Sequence, residues 1–177
     1  MVAKITKICR YPVKGLSPES LSEVTIESGG AIKNDRRFAM ALEHALFDES
    51  TPHWLPKANF LSLMRNEKIA ELETVFYDEI DTLLIRQDGK QVIETKLTDK
   101  VDCAILEDFF SNYLKGGATG KLSFVEAKGE SVFTDQKKKL ISIINLASVR
   151  DLEQVVGKSV DPIRFRANFY IDGIRPW

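Results

Sequence analysis

Three groups of residues carry the chemistry that this sequence suggests. Near its end runs Arg164-Phe165-Arg166-Ala167-Asn168-Phe169-Tyr170-Ile171-Asp172-Gly173. Read as a strand over 164–171, its period of two puts Arg164, Arg166 and Asn168 on one face and Phe165, Ala167 and Phe169 on the other. Two guanidinium forks and an amide on one face suit the oxygens of a phosphate or carboxylate, and they equally suit a solvated strand face. Tyr11-Pro12-Val13-Lys14-Gly15 brackets a lysine between proline and glycine, so a turn fixes where that lysine stands. Asn34-Asp35-Arg36-Arg37 delivers arginine at the start of another strand. Each group alone is weak, but three cationic turns at strand ends argue for one anion site. Ser142 interrupts the apolar run 140–144 just ahead of a helix start at Asn145, whose free N–H groups form an anion seat. Asp35, Asp135 and Asp172 are carboxylates without a partner that the sequence identifies. No GxSxG stands among the serines, and His44 and His53 lie far from them in sequence, so no nucleophile–base pair emerges.

The elements that must position these residues are mostly strands. Apolar and polar residues alternate over 2–9 and 21–27, and further strand signals cover 37–42, 70–77, 82–86 and 91–95. Asp88-Gly89 marks a tight hairpin. Many short strands separated by turns predict an antiparallel sheet that curls or closes. Two helices are predicted. Over 104–114, Leu106, Phe109, Phe110 and Tyr113 share a face, and Gly116-Gly117 supplies a left-handed end. Over 146–156, Leu146, Val149, Leu152, Val155 and Val156 share a face, with Asn145 as cap and Gly157 as stop. The second part reads as strand 122–125, strand 140–144, helix 146–156 and strand 164–171. The 116–120 segment is linker-like, which divides the chain at about residue 120 into a 1–120 domain and a 121–177 segment. The fold class is mainly β with a few helices.

Length and charge narrow the function. At 177 residues the chain is one domain, or one domain and part of another. A net charge of −1 argues against non-specific nucleic-acid binding. Cys9 and Cys103 sit in apolar runs without CxxC spacing or a neighbouring histidine, which reads as free thiols in a reducing compartment and not as a zinc site. The alternating N-terminus is not a signal peptide, and no apolar run reaches the length of a membrane span. A cytoplasmic protein without membrane contact is the expectation.

Four motifs together resemble a known family. They are Tyr11-Pro12-Val13-Lys14-Gly15, then Asn34-Asp35-Arg36-Arg37-Phe38 after a Gly-Gly turn, then Phe133-Thr134-Asp135 ahead of the 141–153 segment, and finally Arg164-Phe165-Arg166-Ala167-Asn168. In this order they resemble the MOSC proteins, the molybdenum-cofactor sulfurase C-terminal domain family. The first part is similar to the β-barrel domain that precedes MOSC in two-domain members, such as the mitochondrial amidoxime-reducing component and its bacterial relatives. The resemblance implies an N-terminal β-barrel-like domain followed by the first part of a MOSC barrel.

It also implies a molybdopterin site to which Lys14, Gly15 and Arg36 contribute from one side and Ser142, Asn145, Arg166 and Asn168 from the other. Lys and Arg would neutralise the cofactor phosphate, and the amides would read the pterin edge. Gly15 stands where some relatives carry serine, which removes one side-chain contact. In the family the cysteine that ligates molybdenum follows the RFRxN segment, and neither Cys9 nor Cys103 matches it. The expectation is therefore a chain truncated within MOSC and inactive by itself.

The resemblance implies, for the full-length form, a molybdenum-dependent oxidoreductase. It would act on N-hydroxylated or related oxo substrates with electrons from a donor protein. Sulfur or molybdenum-cofactor carriage is a second possibility, pyridoxal phosphate binding is a further one at family level, and a non-catalytic anion- or protein-binding β module is the alternative. The apolar residues of the 164–171 strand need cover, so that strand is expected either to pair with the N-terminal part of the chain or to form a homodimer.

Overall fold

The computed structural model describes residues 2–48, 50–51, 53–115, 120–128 and 132–177. Among these the chain is mainly β. The strands are β1 (Lys4–Arg10), β2 (Glu19–Leu21), β3 (Phe38–Leu42), β4 (Leu72–Tyr77), β5 (Thr82–Gln87), β6 (Lys90–Lys96), β7 (Leu122–Glu126), β8 (Ile143–Asn145) and β9 (Phe169–Asp172). The helices are α1 (Lys100–Tyr113) and α2 (Leu146–Val156), with 3-10 turns at Lys57–Asn59, Glu67–Glu71 and Pro162–Phe165. The strands form three sheets, in the orders β2-β1-β9-β8, β3-β7 and β4-β5-β6. Every pairing is antiparallel except that of β8 with β9.

Local chemistry accounts for the elements that matter to the site. The β5–β6 hairpin turns on Asp88 and Gly89, both with positive φ (51° and 73°), as a two-residue turn of matching twist requires. Helix α1 begins at Lys100, four residues ahead of its apolar signal, because the Asp99 carboxylate accepts from the amides of Val101 and Asp102. Its Leu106 and Phe110 are fully buried, and Phe109 and Tyr113 pack partly against the same core. Gly116 and Gly117, expected to end it, lie outside the described residues. Helix α2 has its expected bounds, with the Asn145 side chain accepting from Ala147 N and Gly157 left-handed at φ 68°.

Strand β3 is buried on both faces. Phe38, Met40 and Leu42 point into the main core with Leu106, Phe110 and Leu122. Ala39 and Ala41 face a second cluster around Phe60, Val125 and Phe133. Residues this small on the second face let the 133–135 segment come close behind the strand.

Three sequence readings are corrected. Residues 164–171 are not one strand. Asp161 caps a 3-10 turn through Ile163 N, Pro162 opens it, Arg166 is left-handed at φ 52°, and β9 starts only at Phe169. Arg164, Arg166 and Asn168 therefore share no strand face. The 21–27 alternation yields only β2, an edge strand with a single neighbour. Of 140–144 only the end pairs, as β8. Strand β9 does pair antiparallel with β1, with Ile8 opposite Phe169 and Lys4 opposite Asp172. Phe169 is buried there, while Phe165 stays exposed.

Candidate functional site

Backbone hydrogen bonds place the cationic turns side by side. The segment after β1 runs along the segment before β3: Arg36 N donates to Tyr11 O (2.7 Å), Phe38 N to Pro12 O (3.0 Å) and Lys14 N to Phe38 O (2.7 Å). The 133–135 segment joins on the far side, where Phe133 N donates to Arg36 O (2.8 Å). The turn before β9 is fastened to the same place by two bonds. Tyr11 Oη donates to Ala167 O (3.2 Å), and Arg36 Nη2 donates to Arg166 O (2.9 Å).

The result is a cleft of about 460 Å³ whose lining includes Lys14, Gly15, Arg36, Ser142, Arg164 and Arg166. Lys57 stands at the same cleft, and Asp135 is the one acidic residue in its lining among the described residues. Tyr11 forms the floor behind the arginines. Its ring is fully buried, with the Arg166 guanidinium 4.3 Å and the Arg36 guanidinium 4.8 Å from its centroid. Such stacking holds two like charges together by offering both a π face. The sequence reading singled out the lysine of this motif and missed its tyrosine. The signal was present in an aromatic residue ahead of a fixed turn, but only the fold puts both arginines against it.

The three cations differ in how they are satisfied. Lys14 is buried and donates to Asp135 Oδ1 (2.5 Å) and Phe133 O (2.9 Å). Burial pulls the Lys14 ammonium down from its ordinary value, with Asp135 opposing. Burial pushes the Asp135 carboxyl up, but the bond and charge of Lys14 outweigh it and hold the group below the ordinary carboxylate range. Arg36 is paired with Asp35, which is itself 3% exposed and also accepts Tyr11 N (2.8 Å). Arg166 is half-buried, and its guanidinium has no hydrogen bond or carboxylate partner among the described residues. Burial pushes it down to about 10, helped by the neighbouring Arg36 and opposed by Tyr11. Two of the cations thus have a carboxylate in direct contact, while Arg166 has none among the described residues and feels Asp35 and Asp135 only through space.

Not every predicted residue faces the cleft. Asn168 is 1% exposed and stands behind the lining. Its Oδ1 accepts from Ser142 N (3.1 Å) and Ser142 Oγ (3.0 Å), and its Nδ2 donates to Cys9 O (3.2 Å). It ties the turn before β9 to the segment before β8 and is not part of the cleft lining. Asn145 is elsewhere. Its Oδ1 caps α2 and its Nδ2 donates to Arg175 O (2.7 Å), and neither Asn145 nor the α2 start is part of the lining. Gly15 lines the cleft with φ at +89°, and a Cβ there would lie 2.9 Å from Leu61 O, so a serine at this position would be strained. Neither Cys9 nor Cys103 lines the cleft. Cys9 is fully buried on β1 and burial pushes its thiol up, while Cys103, on α1, donates its Sγ–H to Leu97 O ahead of the helix. Of the carboxylates without an assigned partner, Asp135 holds Lys14, Asp35 holds Arg36, and Asp172 holds Arg150 at 2.7 Å.

The Lys14–Asp135 pair makes a prediction. Any anion that reaches Lys14 must displace a carboxylate whose side chain is 60% exposed and carried on a loop. Asp135→Asn keeps the shape and an acceptor but removes the competing charge. Phosphate affinity is expected to rise by roughly fivefold to tenfold, a competition of about 1 kcal/mol. Stability moves the other way. The contribution of Asp135 is complete above the ordinary carboxylate range and is lost as pH falls through its lowered value, so the variant should lack that acid limb. Titration calorimetry and acid unfolding would measure both, and unchanged or weaker phosphate binding would count against the competition.

Among the described residues no cluster of three metal-ligating side chains occurs, and no helix is long and apolar enough to cross a membrane. No curated protein and no solved structure matches the chain. The family model described as the MOSC N-terminal beta barrel domain matches residues 2–123, well over half of the sequence. That span contains Lys14, Gly15, Arg36 and Lys57, one side of the cleft, and the chain belongs to the MOSC N-terminal beta barrel family.

Proposed function

We propose that the cleft seats the phosphate-bearing end of the molybdenum cofactor. The observation that carries this reading is Arg166, a half-buried guanidinium stacked on Tyr11 near a second arginine, with Asp35 and Asp135 acting on it only through space and no side-chain hydrogen bond or ion pair among the described residues. A charged group held in such a place costs stability unless something pairs with it. The donor set fits a phosphate: Arg166 is free to bind, Arg36 stands across the same ring, and Lys14 and Lys57 stand within the same lining. The metal end of the cofactor is less well served. A thiolate is the soft ligand expected for it, and no cysteine lines the cleft.

The cofactor, when bound, supplies oxygen-atom transfer at its metal. The chain's own part is to neutralise the phosphate, orient the pterin by that anchor and keep the anchor rigid through Tyr11, Asp35 and Asn168. For the whole protein we propose the reduction of N-hydroxylated or related oxo substrates with electrons from a donor protein, on the strength of family membership. The test at the level of this chain is titration with a pterin monophosphate and its dephosphorylated counterpart. The phosphate is expected to account for most of the affinity, in a manner that weakens with salt. Equal binding of the two pterins would overturn the reading.

A further inference from the structure

Beside the anion cleft lies a second cavity of about 260 Å³, and the two share Gly15, Leu63, Arg164 and Arg166 in their walls. The chemistry of this annex is different. Its wall is built from Leu16, Leu63, Ile69, Leu72 and Ile163, of which Leu16, Ile69 and Leu72 belong to the main core and are at most 2% exposed. A fixed apolar floor of this kind is preformed. Among the described residues the only charged ones in the lining are Arg164 and Arg166, and no carboxylate is among them. The Arg164 side chain is exposed, with no hydrogen bond or ion pair among the described residues. It lines both cavities.

We propose that this annex is a second small-molecule site, one that takes an apolar carboxylic acid with its head on Arg164 and a single ring or short acyl chain over Leu16, Ile69 and Ile163. Charge complementarity selects the class. A neutral apolar molecule would leave Arg164 unused, and an amine would meet a guanidinium with no carboxylate to offset it. Size limits the body, since the cavity is smaller than the usual range for drug-sized ligands. The site goes beyond the cofactor reading and does not depend on it, because its apolar wall of Leu16, Ile69, Leu72 and Ile163 is not part of the cleft lining.

The experiment titrates the full chain with butanoate, hexanoate, octanoate, octylamine and inorganic phosphate, and follows the methyl resonances of Leu16, Ile69 and Ile163. Octanoate is expected to shift these methyls saturably, and affinity should rise roughly threefold to fourfold per added methylene as the chain is buried. Arg164→Ala should weaken octanoate by about tenfold. Arg164→Glu should abolish octanoate binding and admit octylamine, a gain that misfolding cannot imitate. Phosphate should leave the three methyls unmoved, so a failure of phosphate binding would bear on the cofactor seat and not on the annex. Saturable shifts that are equal in the wild type and Arg164→Glu, shifts confined to other methyls, or no saturable shift at all would each overturn the proposal.

Discussion

Replacing Asp35 with alanine is expected to destabilise the fold by about 3–5 kcal/mol, the range found when one partner of a buried ion pair is removed. Asp35 is 3% exposed, and each of its oxygens has a separate duty. One accepts the backbone amide of Tyr11 at 2.8 Å, and the other pairs with Arg36. Truncation leaves a buried N–H without an acceptor, which costs about 1–3 kcal/mol in itself. It also leaves Arg36, with a side chain only 15% exposed, near Arg166 without its direct carboxylate partner. Asp35→Asn separates the two contributions, because an amide oxygen still serves the Tyr11 N–H while the charge is gone. The aspartate-to-asparagine loss should fall between zero and the alanine loss. Urea unfolding of the three proteins measures this, and an alanine loss below about 1 kcal/mol would mean that the turn 34–37 is held mainly by its backbone bonds.

That role for Asp35 was not legible in the sequence, although the residue itself was. Asn-Asp-Arg-Arg announced a turn that delivers cations, and the turn was found. What the sequence could not supply was the partner, because Tyr11 and Asp35 meet only after β1 and β3 have been laid alongside each other. Elements whose causes are local were read well. The Asp88-Gly89 hairpin, the Asn145 cap and the Gly157 stop depend on residues within a few positions. The 164–171 segment failed for an instructive reason. Its alternation of arginine and phenylalanine has the period of a strand, but Asp161-Pro162 just before it is a helix-start signal, and that signal governs. The error in secondary structure did not move Arg166 away from Lys14 and Arg36, since β9 still pairs with β1 and brings the turn before it to the same end of the sheet. Asn145 and Asn168 were drawn toward the ligand by residue type. Their amides hold backbone and side-chain partners and neither residue lines the cleft, a placement that only the fold makes possible.

Arg166→Ala is expected to lower affinity for a phosphate-bearing pterin by roughly 10- to 150-fold, the equivalent of a charge-assisted contact of about 1.5–3 kcal/mol. The free protein should not lose stability in proportion. In the wild type this guanidinium is half-buried, has no carboxylate in contact among the described residues and stands near Arg36, and burial pushes its proton affinity down to about 10 despite Asp35 and Asp135. The sign follows from that direction. A group whose folded value is depressed holds its proton less well in the folded chain than in the unfolded one, so its charged form is a burden on the fold at neutral pH. The burden lifts only as pH rises through about 10 toward the ordinary arginine value. Removing the charge relieves it at any pH, offset by the loss of stacking on Tyr11, which is worth roughly 0.5–2 kcal/mol. Arg166→Gly adds a second relief, because φ at 52° strains any side chain there. Thermal unfolding should therefore rank glycine at or above alanine, with both near the wild type, while calorimetry ranks both far below it for binding. Arg166→Lys keeps a point charge and loses the planar fork, so it should fall between them in affinity. A residue kept for folding would give the opposite pattern: variants that unfold early and, when folded, bind phosphate as the wild type does. Affinity lost at constant or improved stability is what a cation held in readiness for an anion predicts.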